Sequence, residues 1–274
     1  MGFPEHAVII TAAGSSDRFN KQGLGVKKEY LSIDDHTVLY HSVEPFLQVP
    51  NLRAIIVTHP KDMADQCAIA LEEIFDQNII PVILVEGGED RQESVYNALK
   101  LLGSMSLPID YVAIHDGARC FVTPEQIIRT LATATVFGGA VPALIPTDAL
   151  KSIDKNGVIT SHLERTETVA VQTPQIFHFP AILTAHQSAD SKENRYVDDT
   201  QVFTDFGMSV GICEGERENR KITYLEDIPN AEEQIDEYLK NLEEGKRKAK
   251  AAIALKLAMS QIQGEQAKQG QAGT

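Results

Sequence analysis

Residues 8–31, VIITAAGSSDRFNKQGLGVKKEYL, are the stretch around which the rest of the chain is organised. The first three are apolar and β-branched, which suits a short buried strand. Ala12, Ala13 and Gly14 follow, small enough for a ligand to lie almost on the backbone. Ser15, Ser16, Asp17 and Arg18 make a polar turn, and after a short insert come Lys27 and Lys28, the chain's only Lys-Lys pair. Exposed N–H groups and fixed positive charge are what replace the water that a polyphosphate loses on binding. The stretch therefore reads as a nucleoside-triphosphate loop. It is not a P-loop, because no Gly-Lys-Ser/Thr closes it. Nor is it a dinucleotide fingerprint, because Gly14 lacks partners at the second and third glycine positions. Small residues after a strand also serve plain strand-to-helix packing, so the remainder of the chain must decide.

Outward from that stretch, apolar runs alternate with amphipathic ones. Strands are expected at 52–58, 79–85, 111–115 and 140–145, with helices around 37–46, 60–75 and 91–102. A further helix should start near Thr123, which can cap it, with Pro124 in its first turn. Such alternation implies a parallel sheet with helices on both faces and functional residues at the carboxyl ends of the strands. From 146 to 172 the pattern changes to two β-prone segments around Asn156-Gly157, the signature of a hairpin. A hairpin inserted in this way cannot bury both faces on one sheet and often packs on another subunit. Thr173-Pro174-Gln175 brings the chain back, with a strand expected at 208–214 and a helix at 228–242. Beyond 243 the composition turns to Ala, Lys and Gln. The expected organisation is one α/β domain over 1–242, its arm at about 146–172, and a helical to disordered tail over 243–274.

Composition bounds the function. With 274 residues, 43% of them hydrophobic and 23% charged, the chain can bury the core of a globular enzyme. No apolar run approaches the roughly 20 residues that span a bilayer. The residues before the first strand carry no basic region, so a signal peptide is not expected. Cys67, Cys120 and Cys213 are scattered and form no CxxC pair, which suits a reduced cytoplasm and indicates neither disulfides nor a zinc site. A formal charge of −14 argues against nucleic acid and anionic membranes as partners. In so acidic a chain, a polyphosphate site needs its cations concentrated and a divalent metal to help.

Four downstream segments could supply partners for the loop. Residues 87–94, GGEDRQES, follow a strand and open a helix, where an anion or a polar base edge is favoured; a turn with acidic capping is the plainer reading. His115-Asp116-Gly117-Ala118-Arg119 ends another strand, and its Asp can hold a metal, accept sugar hydroxyls, or pair with Arg119 to fix a turn. Asp198 and Asp199 are adjacent carboxylates, and residues 219–223, NRKIT, bring cations. The histidines show no metal spacing, and no Ser/His/Asp or Cys/His arrangement is visible.

The order of these motifs is more specific than any one of them. AAGxxxR, KxYL, GGxxRxxS, HDxAR, the pair Glu164-Arg165, QTPQxF, an acidic pair and NxKxT together resemble the 2-C-methyl-D-erythritol 4-phosphate cytidylyltransferases. These are nucleotidyltransferases of Rossmann-like α/β fold, and the resemblance runs over about 6–231. It implies a mostly parallel sheet with an inserted hairpin arm that makes a homodimer. It implies that CTP and a polyol phosphate react with Mg²⁺ bound mainly through the nucleotide phosphates, with no metal site of the protein's own. Ala12, Ala13 and Gly14 would then line the CTP site, with Arg18 and Lys28 on the triphosphate and Gly88, Glu89 and Ser94 around cytosine and ribose. Asp116 and Arg119 fall where nucleotide and polyol phosphate meet. Arg165 on the arm would reach the neighbouring subunit's substrate phosphate. Asp198 lies near the polyol, and Lys221 on phosphate; Arg18, Lys28 and Lys221 carry the catalytic charge.

Departures from the family pattern leave the acceptor open. The arm commonly holds an Asp-Thr pair; here it is Asp148-Ala149, with Thr147 as the substitute hydroxyl. Cys120 stands where proline usually follows the arginine, and the spacer from Arg18 to Lys28 is long. A ribitol 5-phosphate cytidylyltransferase is the alternative within the class, and a nucleotide-binding protein without catalysis the alternative outside it. A second catalytic domain of the fused type is not expected, since the tail is short and lacks metal-ligand spacing.

Overall fold

The opening strand, β1 (His6–Thr11), alternates its side chains between two cores. Val8 and Ile10 join one apolar cluster and Ala7 and Ile9 the other, all fully buried. Period-two alternation in a run apolar on both sides means a strand covered on both faces. The structure is a computed structural model that describes residues 2–16, 19, 26–77, 80–237 and 239–240. Arg18, and everything expected beyond residue 240, lie outside the described residues.

After a single 3-10 turn at Lys28–Tyr30, the short pair β2 (Ser32–Ile33) and β3 (His36–Thr37) leads into α1 (Val38–Leu47). Thr37 caps that helix by accepting from the Tyr40 N–H. β4 (Leu52–His59) pairs with β1 in parallel. The single helix expected over 60–75 is instead two, α2 (Ala64–Ala70) and α3 (Glu72–Gln77), broken at the fully buried Leu71. β5 (Val82–Glu86) extends the sheet, and α4 (Arg91–Ser104) follows, capped by Asp90. β6 (Tyr111–Asp116) lies on the other side of β1. α5 (Pro124–Phe137) starts as expected, with the Thr123 hydroxyl accepting from the Gln126 N–H, and ends at Gly138. Gly138 has φ +87°, the left-handed cap geometry that glycine adopts without strain.

β7 (Gly139–Leu144) is followed by the arm, in which β8 (Lys151–Ile153) and β9 (Ile159–His162) form their own two-stranded sheet. Asp154 accepts from the Asn156 and Val158 N–H groups, and Gly157 supplies the positive φ of the turn. β10 (Ala170–Val171) and β11 (Gln175–His178) return antiparallel along one edge of β7, interrupted at the cis Thr173–Pro174 bond. α6 (Phe179–Ser191), α7 (Asp199–Asp205) and β12 (Gly211–Glu214) complete the fold, with β12 parallel to β7. The main sheet has the order β10-β7-β11-β6-β1-β4-β5. α1, α2, α3 and α5 cover one face and α4, α6 and α7 the other. The chain divides into two compact units, Met1–Ile228 and Pro229–Thr274; in the second, residues 231–237 are helical.

Candidate active site

Register alone brings the first site atoms together. Thr11 ends β1 opposite Thr58 on β4 and Asp116 on β6. Above these three strand ends lies a cavity of about 570 Å³. Its walls come from the loop after β1 (Ala13, Gly14, Ser15 and Ser16), the turn carrying Lys28 and Glu29, and the β5–α4 junction with Gly88 to Arg91 and Ser94. Asp116, Ala118, Lys221 and Thr223 close the remaining side.

Close packing shapes the loops. A Cβ on Gly87 would sit 2.3 Å from the Ala13 Cβ and 2.8 Å from the Ser94 hydroxyl, so only glycine lets the two loops approach. The Ser94 hydroxyl accepts from the Gly88 N–H at 3.0 Å and donates to the Asp90 carbonyl at 2.8 Å, which holds the junction in shape. A Cβ on Gly14 would meet nothing within 4 Å. That glycine faces open space on the cavity side of the fold.

The adjacent lysines divide the work. Both are buried, and Lys27 donates to the Gly14 carbonyl with Glu29 at 3.5 Å, so it braces the loop backbone. Lys28 donates to the Ile222 carbonyl at 2.6 Å and lines the cavity. Burial pushes its pKa below the usual lysine value, while the neighbouring Glu29 works the other way. An ammonium stripped of water in this manner interacts strongly with an incoming anion.

Asp116 is the electrostatic hub. Burial by itself would raise its pKa, but Lys221, Arg91 and Arg119 outweigh that and hold the carboxyl well below the usual range. Lys221 lies 2.9 Å from its Oδ2, Arg119 Nε 3.4 Å from the same oxygen, and Arg91 Nε 3.9 Å from Oδ1. The backbone behind it is fixed by a small relay. The Asp116 N–H donates to the Thr173 hydroxyl at 3.1 Å, and that hydroxyl lies 2.9 Å from His115 Nδ1. His115 Nε2 donates to the Arg119 carbonyl at 3.1 Å, which leaves Nδ1 of the neutral ring to accept from the Thr173 hydroxyl. Burial drives its pKa down to about 4. His115 is thus structural, holding the backbone behind Asp116.

Of the residues singled out from the sequence, Ala13, Gly14, Lys28, Gly88, Glu89, Ser94, Asp116 and Lys221 meet around this one cavity. Ala12 is buried beneath the loop, its N–H donating to the Thr58 carbonyl and hydroxyl. Arg119 stands behind Asp116 and donates to the Asn219 carbonyl at 2.8 Å. Asp198 caps α7 and accepts from the Gln175 amide at 3.1 Å. Arg165 is exposed on the arm and donates to the Thr147 carbonyl. Neither Asp198 nor Arg165 borders the cavity of its own chain. Thr11, Thr58, Arg91 and Thr223, which do, were not selected from the sequence. For Arg91 and Thr223 the signal was present in GGxxRxxS and NxKxT; Thr11 and Thr58 have none beyond lying near strand ends.

The chain's similarities agree with this geometry. The family model described as 2-C-methyl-D-erythritol 4-phosphate cytidylyltransferase (IspD) matches residues 6–237. The enzyme of that name from Clostridium perfringens (strain SM101 / Type A) is 34% identical over 224 residues, 82% of this chain and 96% of the relative. Its namesake from Clostridium botulinum (strain Eklund 17B / Type B) is 35% identical over 237 residues, 86% and 99% of the two chains. The crystal structure of the 4-diphosphocytidyl-2C-methyl-D-erythritol synthase from Anaerococcus prevotii DSM 20548 superposes with a TM-score of 0.70 at 25% identity, covering 82% of this chain and 95% of that one. With its loop, strand-end carboxylate and lysines gathered over a mostly parallel sheet, the chain belongs to the 2-C-methyl-D-erythritol 4-phosphate cytidylyltransferase family.

Proposed function

We propose that this cavity joins CTP to 2-C-methyl-D-erythritol 4-phosphate, giving 4-diphosphocytidyl-2-C-methyl-D-erythritol and pyrophosphate. The observation that carries the reading is the convergence of Lys28, Lys221 and Asp116 on one cavity with the small-residue loop Ala13–Gly14. The phosphomonoester oxygen of the acceptor already bears charge and needs no strong base. It attacks the α-phosphorus, a new P–O bond forms, and the bond to the β-phosphate oxygen breaks with its electron pair leaving on pyrophosphate. Repulsion between two anions, and charge building on five-coordinate phosphorus, set the barrier, so positioned cations lower it. Lys28 and Lys221 are assigned that role, together with Arg18, and the 88–94 junction is assigned the base and ribose.

The residues present fit a Mg²⁺ ion that arrives on the triphosphate. Among the described residues, Asp116 Oδ1 has only Arg91 at 3.9 Å and the Thr11 hydroxyl at 3.5 Å, so one carboxylate oxygen has capacity beside the phosphates. Mg²⁺ commonly takes one or two carboxylates with phosphate oxygens, and here it would supply neutralisation of the leaving pyrophosphate.

The arm is assigned to a homodimer, with Arg165 reaching the partner's acceptor phosphate. Support comes from its exposed apolar side chains, Ile153, Val158 and Ile159, each more than half accessible, on the strands and turn of a two-stranded sheet that pairs with no other strand among the described residues. The cytoplasm is assigned as the compartment, in keeping with three free, buried cysteines. Among the described residues no helix is long and apolar enough to cross a membrane. Ala149, in place of the hydroxyl residue the arm commonly carries, favours ribitol 5-phosphate as the second reading. Pyrophosphate release from CTP with each acceptor decides. Release only with methylerythritol phosphate upholds the proposal, preference for ribitol phosphate replaces it, and no release with either leaves a binding protein.

A further inference from the structure

We infer that His186 is a positioning residue: through Asp199 it anchors Arg91, the guanidinium that lines the nucleotide cavity at the start of α4. The inference rests on the cytidylyl-transfer reading of that cavity. His186 lies on the buried face of α6 among Phe179, Ile182, Ala185 and Ala189, at 1% exposure. Its Nε2 donates to Asp199 Oδ1 at 3.0 Å, while Nδ1 has no hydrogen-bond partner among the described residues. An apolar side chain would fill this place without the cost of burying an imidazole. Besides stacking on Tyr96 at 6.2 Å between ring centroids, the ring adds one hydrogen bond, and that bond goes to Asp199.

Asp199, equally buried, passes the constraint on. Its N–H donates to the Gln175 side chain at 3.1 Å, and its Oδ2 lies 2.7 Å from Arg91 Nη1. Arg91 has a second carboxylate, Asp116, 3.9 Å away, and a bound triphosphate would be a third attraction. A long guanidinium side chain among three anions is held in one place only if one contact dominates. With His186 fixing one oxygen of Asp199 and Gln175 its backbone, the other oxygen is a rigid post for Arg91. Without the imidazole bond, the carboxylate is free to turn and Arg91 to shift toward Asp116 or the phosphates.

The test compares His186→Leu with His186→Gln, whose amide nitrogen can make the same bond. Pyrophosphate release from CTP and methylerythritol phosphate is measured well below each variant's melting temperature. Displacements of about 1 Å can cost on the order of 100-fold in rate, so His186→Leu is expected to lower kcat by roughly 10- to 100-fold, with KM for CTP changed far less, and His186→Gln to recover most of it. Nitrogen-15 NMR of the Arg91 Nε–H gives a readout independent of turnover: a distinct, ordered resonance in wild type and His186→Gln, broadened or averaged in His186→Leu. A lowered melting temperature with unchanged kcat and an unchanged Arg91 signal overturns the anchor, as does His186→Gln behaving like His186→Leu. A wild type that releases no pyrophosphate overturns the cytidylyl reading instead, and the Arg91 resonance then still decides the anchor.

Discussion

Acid should loosen this protein well before its carboxylates titrate, and His115 is the reason. The ring is fully buried at the end of β6, edge-on to Phe46 at 5.2 Å, and burial keeps it neutral, accepting from Thr173 and donating to the Arg119 carbonyl. Burial holds its pKa at about 4 in the native state, against about 6.5 in an unfolded chain. Between those values the unfolded chain binds a proton that the native state refuses, so stability falls as pH drops through that window and is unaffected above it. Each pH unit of the window is worth about 1.4 kcal/mol, which gives a loss of about 2 kcal/mol between pH 7.5 and pH 5 from this residue. His6, whose pKa is also lowered by burial, adds in the same direction. Urea unfolding at the two pH values, for wild type and His115→Gln, isolates the His115 share. The variant should lose about 2 kcal/mol less than wild type over the interval. Equal losses in both proteins would mean that His115 is not buried neutral, and the relay behind Asp116 would have to be redrawn.

Three further outcomes follow from the cavity. Gly14→Ala should fold normally, since its Cβ meets nothing within 4 Å, yet weaken CTP binding about tenfold by calorimetry if the phosphates lie on that backbone; unchanged affinity would remove the loop from the phosphate site. Lys28→Ala should lower turnover by about 10²- to 10³-fold, as removing a preorganised donor does, with a much smaller change in CTP affinity; equal losses would make Lys28 a binding residue only. Mixed dimers of Arg165→Ala and Lys28→Ala chains should regain part of the activity that each homodimer lacks, and no recovery would count against a shared site.

Local chemistry explains what was legible in the sequence. The two-sided apolar run of β1, the Thr123-Pro124 cap of α5 and the Asn156-Gly157 turn of the arm are each specified by neighbouring residues, and each sits where it was expected. α6, α7 and β11 were not anticipated. β11 has four residues and follows a proline, too short for periodicity to separate strand from loop, and its antiparallel direction depends on pairing with β6 and β7. Adjacent Lys27 and Lys28 look alike in the chain, but the 3-10 turn sends one to the Gly14 carbonyl and the other to Ile222, almost two hundred residues away. Arg91 and Asp199 are likewise distant in sequence and paired at 2.7 Å in space. The acidic pair was visible as a motif; which of its two members is buried beneath the site depends on the cap of α7, where Asp198 turns outward to Gln201 and Asp199 inward to Arg91.

The central claim is a direct displacement at the α-phosphorus, driven by positioned charge and without a covalent enzyme intermediate. Its most direct measurement is the stereochemistry of transfer from CTP carrying a chiral α-thiophosphate to methylerythritol phosphate. A single in-line attack inverts the configuration at phosphorus. Retention would require two successive displacements through a nucleotidylated enzyme, and would contradict the roles assigned to Lys28, Lys221 and Asp116.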